Sequence, residues 1–171
     1  MKHVISALVQ NQPGVLAHVA GMFAARGFNI DSLVVGRTED PSLSRMTITV
    51  IGDDRILEQV RKQLEKIVTV VKVRDFAEAS HVERDLMLVR VHAPPEKRAE
   101  IIELVGLFRG RVVDVAKTSL MVEMSGAEDK VEAFIELIRP YGIRELARTG
   151  VMAMQRGQQR NGRTEPADTE D

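Results

Sequence analysis

The chain predicts an α+β fold of two tandem units, each a small sandwich with an antiparallel sheet, and three observations carry that reading. A strand-helix-strand-strand-helix-strand pattern fills the first half and recurs in the second. In both halves a proline-bearing turn, Pro13 and then Pro94-Pro95, separates the first strand from the first helix. Apolar residues recur at three and four positions in the helical segments, whereas the intervening runs have strand length and strand composition.

Taken in order, His3 to Val9 is an apolar run of strand length. Pro13 opens a helix with Val15, Leu16, Val19, Met22 and Phe23 at helical spacing, and Gly27 follows it as a C-terminal cap. Ile30 to Val35 is a second strand, ending at Gly36. Thr38 to Ser44, with Asp40-Pro41, reads as a hairpin loop before the alternating strand Met46 to Ile51. Asp53 or Asp54 caps a helix bearing Ile56, Leu57, Val60 and Leu64, and Val68 to Val73 closes the first unit.

The second unit is entered through Glu78 to Glu83. Strand Leu86 to Val91, a helix after Pro94-Pro95, and strands Arg111 to Val115 and Leu120 to Met124 follow. Ser125 and Glu128 read as a capping box before a helix with Val131, Phe134, Ile135 and Ile138, and Ile143 to Ala147 is the last strand. The repeated order suits the ferredoxin-like split βαβ sandwich, in which two helices cover one face of a four-stranded sheet. Units of this size bury little surface, so association through edges or open faces, in a symmetric dimer, is expected. The expected divisions are 1–77, 78–154 and a disordered polar tail, 155–171, nearly devoid of apolar residues.

Composition excludes several function classes. The 171 residues are 44% hydrophobic and 29% charged, the balance of a globular protein, with no apolar run of membrane-spanning length; a cytoplasmic location is expected. Without cysteine there is no disulfide framework, thiol nucleophile or Cys-based zinc site. His3, His18, His81 and His92 lack metal-ligand spacing, so no metal site is expected. Nucleophile-elbow, phosphate-loop and dinucleotide motifs are missing, and no catalytic residue is assigned. A net charge of −1, with one tyrosine and no tryptophan, offers neither the field nor the stacking surface that nucleic acid requires. The carboxylates Glu58, Glu65, Glu132 and Glu136 recur on outer helix faces, as solubility requires.

Two segments stand out for ligand chemistry. Asn11-Gln12-Pro13-Gly14-Val15-Leu16 is a polar turn feeding a helix N-terminus, where the amides of Gly14, Val15 and Leu16 suit a carboxylate; the short motif alone more often marks an ordinary helix cap at Asn11. Arg26-Gly27-Phe28-Asn29-Ile30-Asp31 lies at the other end of the same helix, and Asn29 is open to two readings, ligand contact or tolerance of the turn backbone. With a helix between them, one site uses both asparagines only if they come from different chains.

The run from Asn11 to Asp31, the stretch Asp40-Pro41-Ser42-Leu43-Ser44-Arg45-Met46-Thr47 and His81-Val82-Glu83-Arg84 resemble the small subunit of acetolactate synthase. The resemblance extends from Met1 to about Met154, taking in Phe108-Arg109-Gly110 and Ala147-Arg148-Thr149-Gly150-Val151, and the first half resembles an ACT domain. It implies a regulatory subunit that activates a separate catalytic subunit and confers feedback inhibition by valine, leucine or isoleucine; the alternative is a stand-alone amino-acid-binding ACT regulator of another enzyme. It further implies an ACT-paired homodimer in which Asn11 and the amides of Gly14, Val15 and Leu16 face Asn29 and Ile30 of the other chain. No cofactor is expected in this chain; thiamine diphosphate, magnesium and FAD belong to the catalytic partner. Ala17 stands where relatives often carry serine, removing one hydroxyl contact. The cluster His81 to Asp85 reads as a solvated linker, and Pro94-Pro95-Glu96 lacks the asparagine and glycine that would suggest a second ligand site.

Overall fold

The structure is a computed structural model describing residues 1–77 and 79–157. The first unit runs β1 (Lys2–Gln10), α1 (Val15–Ala25), β2 (Ile30–Arg37), β3 (Leu43–Ile51), α2 (Asp54–Leu64) and β4 (Val70–Asp75). Its sheet has the order β2-β3-β1-β4, antiparallel throughout. Period-two alternation puts Ile5 and Ala7 of β1 opposite Ile48 and Met46 of β3 on one face. Val15, Val19, Met22 and Phe23 of α1 and Leu57, Val60 and Leu64 of α2 pack on them as one core. Burying each of the larger side chains contributes roughly 1.5–3 kcal/mol. Asp53 caps α2 as its position suggested, its carboxylate accepting from the Ile56 amide at 2.8 Å.

The second unit repeats the order with β5 (His81–His92), α3 (Pro95–Leu107), β6 (Arg111–Val115), β7 (Ser119–Gly126), α4 (Glu128–Ile138) and β8 (Ile143–Arg148). The sheet order is β6-β7-β5-β8, and a separate core gathers Met87, Val89, Leu120, Val122, Phe134 and Ile138. The α+β class and the tandem ferredoxin-like arrangement are therefore as the sequence indicates.

Several local expectations need correction. β4 begins at Val70 rather than Val68, which is 93% exposed in the preceding turn. Pro13 lies in the turn before α1, and Gly14 occupies the N-cap. Ser125 belongs to β7 and makes no capping box; Ala127 is the N-cap of α4, and no side chain caps it. Acidic Glu128 and Asp129 in the first turn complement the helix dipole instead. The cluster His81 to Asp85 is strand, not linker: residues 81–84 pair with a short strand absent from the expected pattern, β9 (Met152–Gln155). Gln155 thus ends a strand, and the rest of the expected tail, from 158, lies outside the described residues.

The segment around β9 explains a feature of the first sheet. Ser6, Thr47 and Thr49 lie on the face away from the helices, yet each is at most 2% exposed. Gly150 approaches that face so closely that a Cβ would sit 2.8 Å from Ser32 Cβ, and Met152 and Met154 line a cavity with Val34 and Thr47. The buried hydroxyls are partnered: Ser32 donates to Thr49 at 3.0 Å, and Arg45 donates to Ser6 at 3.2 Å. Part of the open face of the first sheet, at Ser6, Thr47 and Thr49, is thus covered within the chain. On the second sheet Leu86 and Leu88 each remain 40% exposed.

Candidate ligand-binding site

The turn between β1 and α1 is held from two sides. Gln10 donates its amide to the Thr69 carbonyl at 2.8 Å, and Asn11 donates its own to the Ser42 carbonyl at 2.7 Å. The Asn11 side-chain amide donates to the Pro41 carbonyl at 3.0 Å, clipping the turn to the loop between β2 and β3. That loop is shaped by Asp40, whose carboxylate accepts from the Ser42 amide at 2.8 Å and its hydroxyl at 2.7 Å. These two bonds hold the Asp40 carboxyl below its ordinary value of 3.8.

Asn11 is therefore not the helix cap. Gly14 takes that place at φ 86°, a left-handed conformation glycine enters freely, and its carbonyl accepts from the His18 amide at 2.9 Å. Among the described residues the amides of Gly14, Val15 and Leu16 have no acceptor. A Cβ built on Gly14 would meet nothing within 4 Å, so the surface above these amides is open. Val15 sends its side chain into the core, whereas Leu16 is 46% exposed beside the open amides. The arrangement offers an anion directed N–H groups and the positive end of a helix dipole.

At the far end of α1, Gly27 at φ 67° terminates the helix, and Phe28 turns back on Phe23 edge to face, centroids 6.2 Å apart. Asn29 is exposed, and its carboxamide has no partner among the described residues. Ile30 packs its side chain against the core, leaving only its backbone to a ligand. Within one chain the structure does not bring the two groups together, since the eleven residues of α1 span about 16 Å.

Beside Asn29 and Ile30 lies a charged cluster that sequence reasoning missed. Asp31 is the extra residue of a β-bulge, for the β2–β3 register jumps between Ile30 and Ser32. Its carboxylate accepts from Lys2 at 2.7 Å, and the same ammonium reaches Glu128 at the start of α4. Burial by itself lowers the Lys2 pKa, but its bonds to Asp31 and Glu128 outweigh that and raise it above 10.5. Deeper in, fully buried Asp85 accepts from Arg148 Nε at 2.8 Å and from the Gly150 amide at 3.2 Å. Arg148 also pairs with Glu132 and lies 3.9 Å from Glu128. The bulge gives no local sequence signal, and the ion pairs join residues far apart in the chain.

Comparison with known proteins agrees with this architecture. Residues 5–72 match a family model described as an AHAS small subunit-like ACT domain, and residues 84–157 match one for the small subunit of acetolactate synthase. A probable acetolactate synthase small subunit of Archaeoglobus fulgidus is 62% identical, the match covering 92% of this chain and 98% of that one. The acetolactate synthase small subunit of Aquifex aeolicus is 47% identical over 91% of this chain and 81% of its own length. A crystal structure of the Thermotoga maritima small subunit superposes with a TM-score of 0.84 at 46% identity, over 92% of this chain and 99% of that chain. The chain belongs to the family of acetolactate synthase small subunits.

Proposed function

We propose that this chain is the non-catalytic regulatory subunit of acetolactate synthase, acting in the cytoplasm on a thiamine diphosphate-dependent catalytic subunit. Residues 1–77 form its effector-binding ACT domain and 78–154 the second domain. It activates the partner and relays inhibition by valine or a related branched-chain amino acid. The effector lies between two copies of the chain: Asn11 and the Gly14, Val15 and Leu16 amides of one copy face Asn29 and Ile30 of the other.

The observation that carries this reading is the open start of α1. It presents unpartnered amides, a glycine N-cap with free space above it and an exposed leucine. An amino acid has the complementary parts, a carboxylate for the amides and an aliphatic chain for the leucine. Its ammonium requires acceptors, which the Asn29 side chain and the backbone at Asn29–Ile30 supply from the second copy. Because the site needs two chains, occupancy also strengthens their association, by reciprocal linkage. Inhibition requires the effector to bind the inhibited arrangement more tightly than the active one.

Acetolactate formation by the cognate catalytic subunit, with and without this chain and across titrations of valine, leucine and isoleucine, tests the proposal. Stimulation reversed by one of them supports it. Stimulation that none reverses removes the effector assignment, and no stimulation removes the regulatory one.

A further inference from the structure

We propose that Lys2, bridging Asp31 of the first unit and Glu128 of the second, is the element that transmits effector occupancy from the Asn29–Ile30 turn to the second unit. The inference rests on the effector site proposed above.

Three features favour a device rather than an incidental surface pair. First, a β-bulge places Asp31, directly after Ile30, within 2.7 Å of Lys2; bulges re-aim side chains at the cost of a regular ladder. Second, the bridge closes one side of a cavity between the units, of about 400 Å³, with Ser32 on one wall and Glu132 and Arg148 on the other. Third, its charges are unbalanced. Among the described residues Asp31, Glu128, Glu132 and Asp85 pair only with Lys2 and Arg148, and Arg148 is bonded to Asp85 and Glu132 and lies 3.9 Å from Glu128. Lys2 is therefore the charge that holds two carboxylates of different units together, and without it Asp31 and Glu128 repel.

An effector ammonium held at Asn29–Ile30 places a second cation beside Asp31. It competes with Lys2 for that carboxylate and weakens the bridge to Glu128. The second unit, released at this corner, pivots on the contact of Gly150 with Ser32. Occupancy of a site on the first unit is thereby read as a change in the position of the second.

The absence of native cysteine makes the test clean. Lys62 on α2 and Lys97 on α3, 58% and 56% exposed, are replaced by cysteine and spin-labelled in the full chain. Labelled chain is mixed with excess unlabelled chain, so that each dimer carries one labelled copy. Distances between labels are measured with and without valine, and valine binding is followed by calorimetry on the same samples. Valine is expected to shift the distance distribution. Lys2→Met should show the shifted distribution without valine and no further response, and Lys2→Arg, which keeps the charge, should respond as the native chain does. Valine binding that leaves the native distribution unchanged, or a Lys2→Met chain that responds like the native one, overturns the inference alone. Failure of the native chain to bind valine overturns the effector site and this inference with it.

Discussion

The side chain of Asn11 donates to the main-chain carbonyl of Pro41 at 3.0 Å, so the turn that opens α1 is positioned by the loop between β2 and β3 rather than by the helix itself. A residue that resembles a helix cap in sequence is a clip between two loops. Asn11→Ala should remove it at a modest cost of about 1 kcal/mol, because the bond is exposed to solvent. Valine affinity should fall at least about tenfold, the equivalent of roughly 1.4 kcal/mol, since the same side chain is assigned to the effector. Urea unfolding and calorimetric titration measure the two effects separately.

Gly14→Asp should abolish valine sensitivity while leaving activation of the catalytic subunit intact. A Cβ at this position meets no atom within 4 Å, so the only structural cost is the left-handed φ of 86°, about 1 kcal/mol or less for aspartate. The dominant effect is a negative charge at the helix start where the ligand carboxylate belongs. Gly14→Asn, with the same backbone preference and no charge, should keep more sensitivity than Gly14→Asp in the reconstituted assay. Equal loss in the two variants would argue against the electrostatic account.

Asp85→Ala should be among the more damaging single changes outside the apolar core. It leaves Arg148 bonded to Glu132, with Glu128 3.9 Å away, and removes the acceptor of the Gly150 amide. Breaking a fully buried pair costs about 3–5 kcal/mol, and because Arg148 is partly exposed, about 2–3 kcal/mol is expected here. Denaturant unfolding monitored by circular dichroism checks the figure.

Acid should loosen the loop that carries Asn11. The Asp40 carboxyl is depressed in the folded chain, so its contribution is fully present above the ordinary value of 3.8 and is lost as pH falls through the lower folded value. Hydrogen exchange or the chemical shift of the Ser42 amide, followed from pH 6 to acid, should report that titration, and Asp40→Asn should abolish it.

Removing β9 should cost far more than trimming the chain behind it. A chain ending at Gly157 keeps the pairing of β9 with β5. One ending at Gly150 loses that ladder and buried Val151 and Ala153, and bares the face that carries Thr47 and Thr49. A fall in the thermal midpoint and new binding of a hydrophobic dye are expected only for the shorter chain.

The two-unit order was legible because it is written in local periodicity: Val15, Val19, Met22 and Phe23 announce a helix whatever they pack against. The C-terminal end of α1 could also be located, since Gly27 marks a backbone conformation that glycine serves, whereas its start was read at Pro13 and lies after Gly14. What could not be read depends on residues distant in the chain. His81 to Asp85 resembles a solvated linker until Met152–Gln155 pairs with its first residues and Arg148 neutralises Asp85. The four-residue β9 is too short for its alternation of Met and Ala to stand out. Ser125 and Glu128 have capping-box spacing, but β7 extends to Gly126 and takes up the serine, while Glu128 turns to Lys2. At the candidate site, Asn11 and Asn29 were recognisable as polar residues at turns, whereas Pro41 and Ser42 as partners of Asn11 were not.

Subunit complementation shows whether one effector site is shared by two chains. Gly14→Asp and Asn29→Ala each spoil both sites of their own homodimers. In a mixed dimer, one site combines the intact α1 start of the Asn29→Ala chain with the intact Asn29 of the Gly14→Asp chain. Calorimetric titration with valine should find no strong sites in either variant alone and about a quarter of the native number after equal amounts are unfolded and refolded together, from statistical pairing in a two-fold dimer. A mixture that remains without sites, while native dimers bind valine, would contradict a site shared between chains.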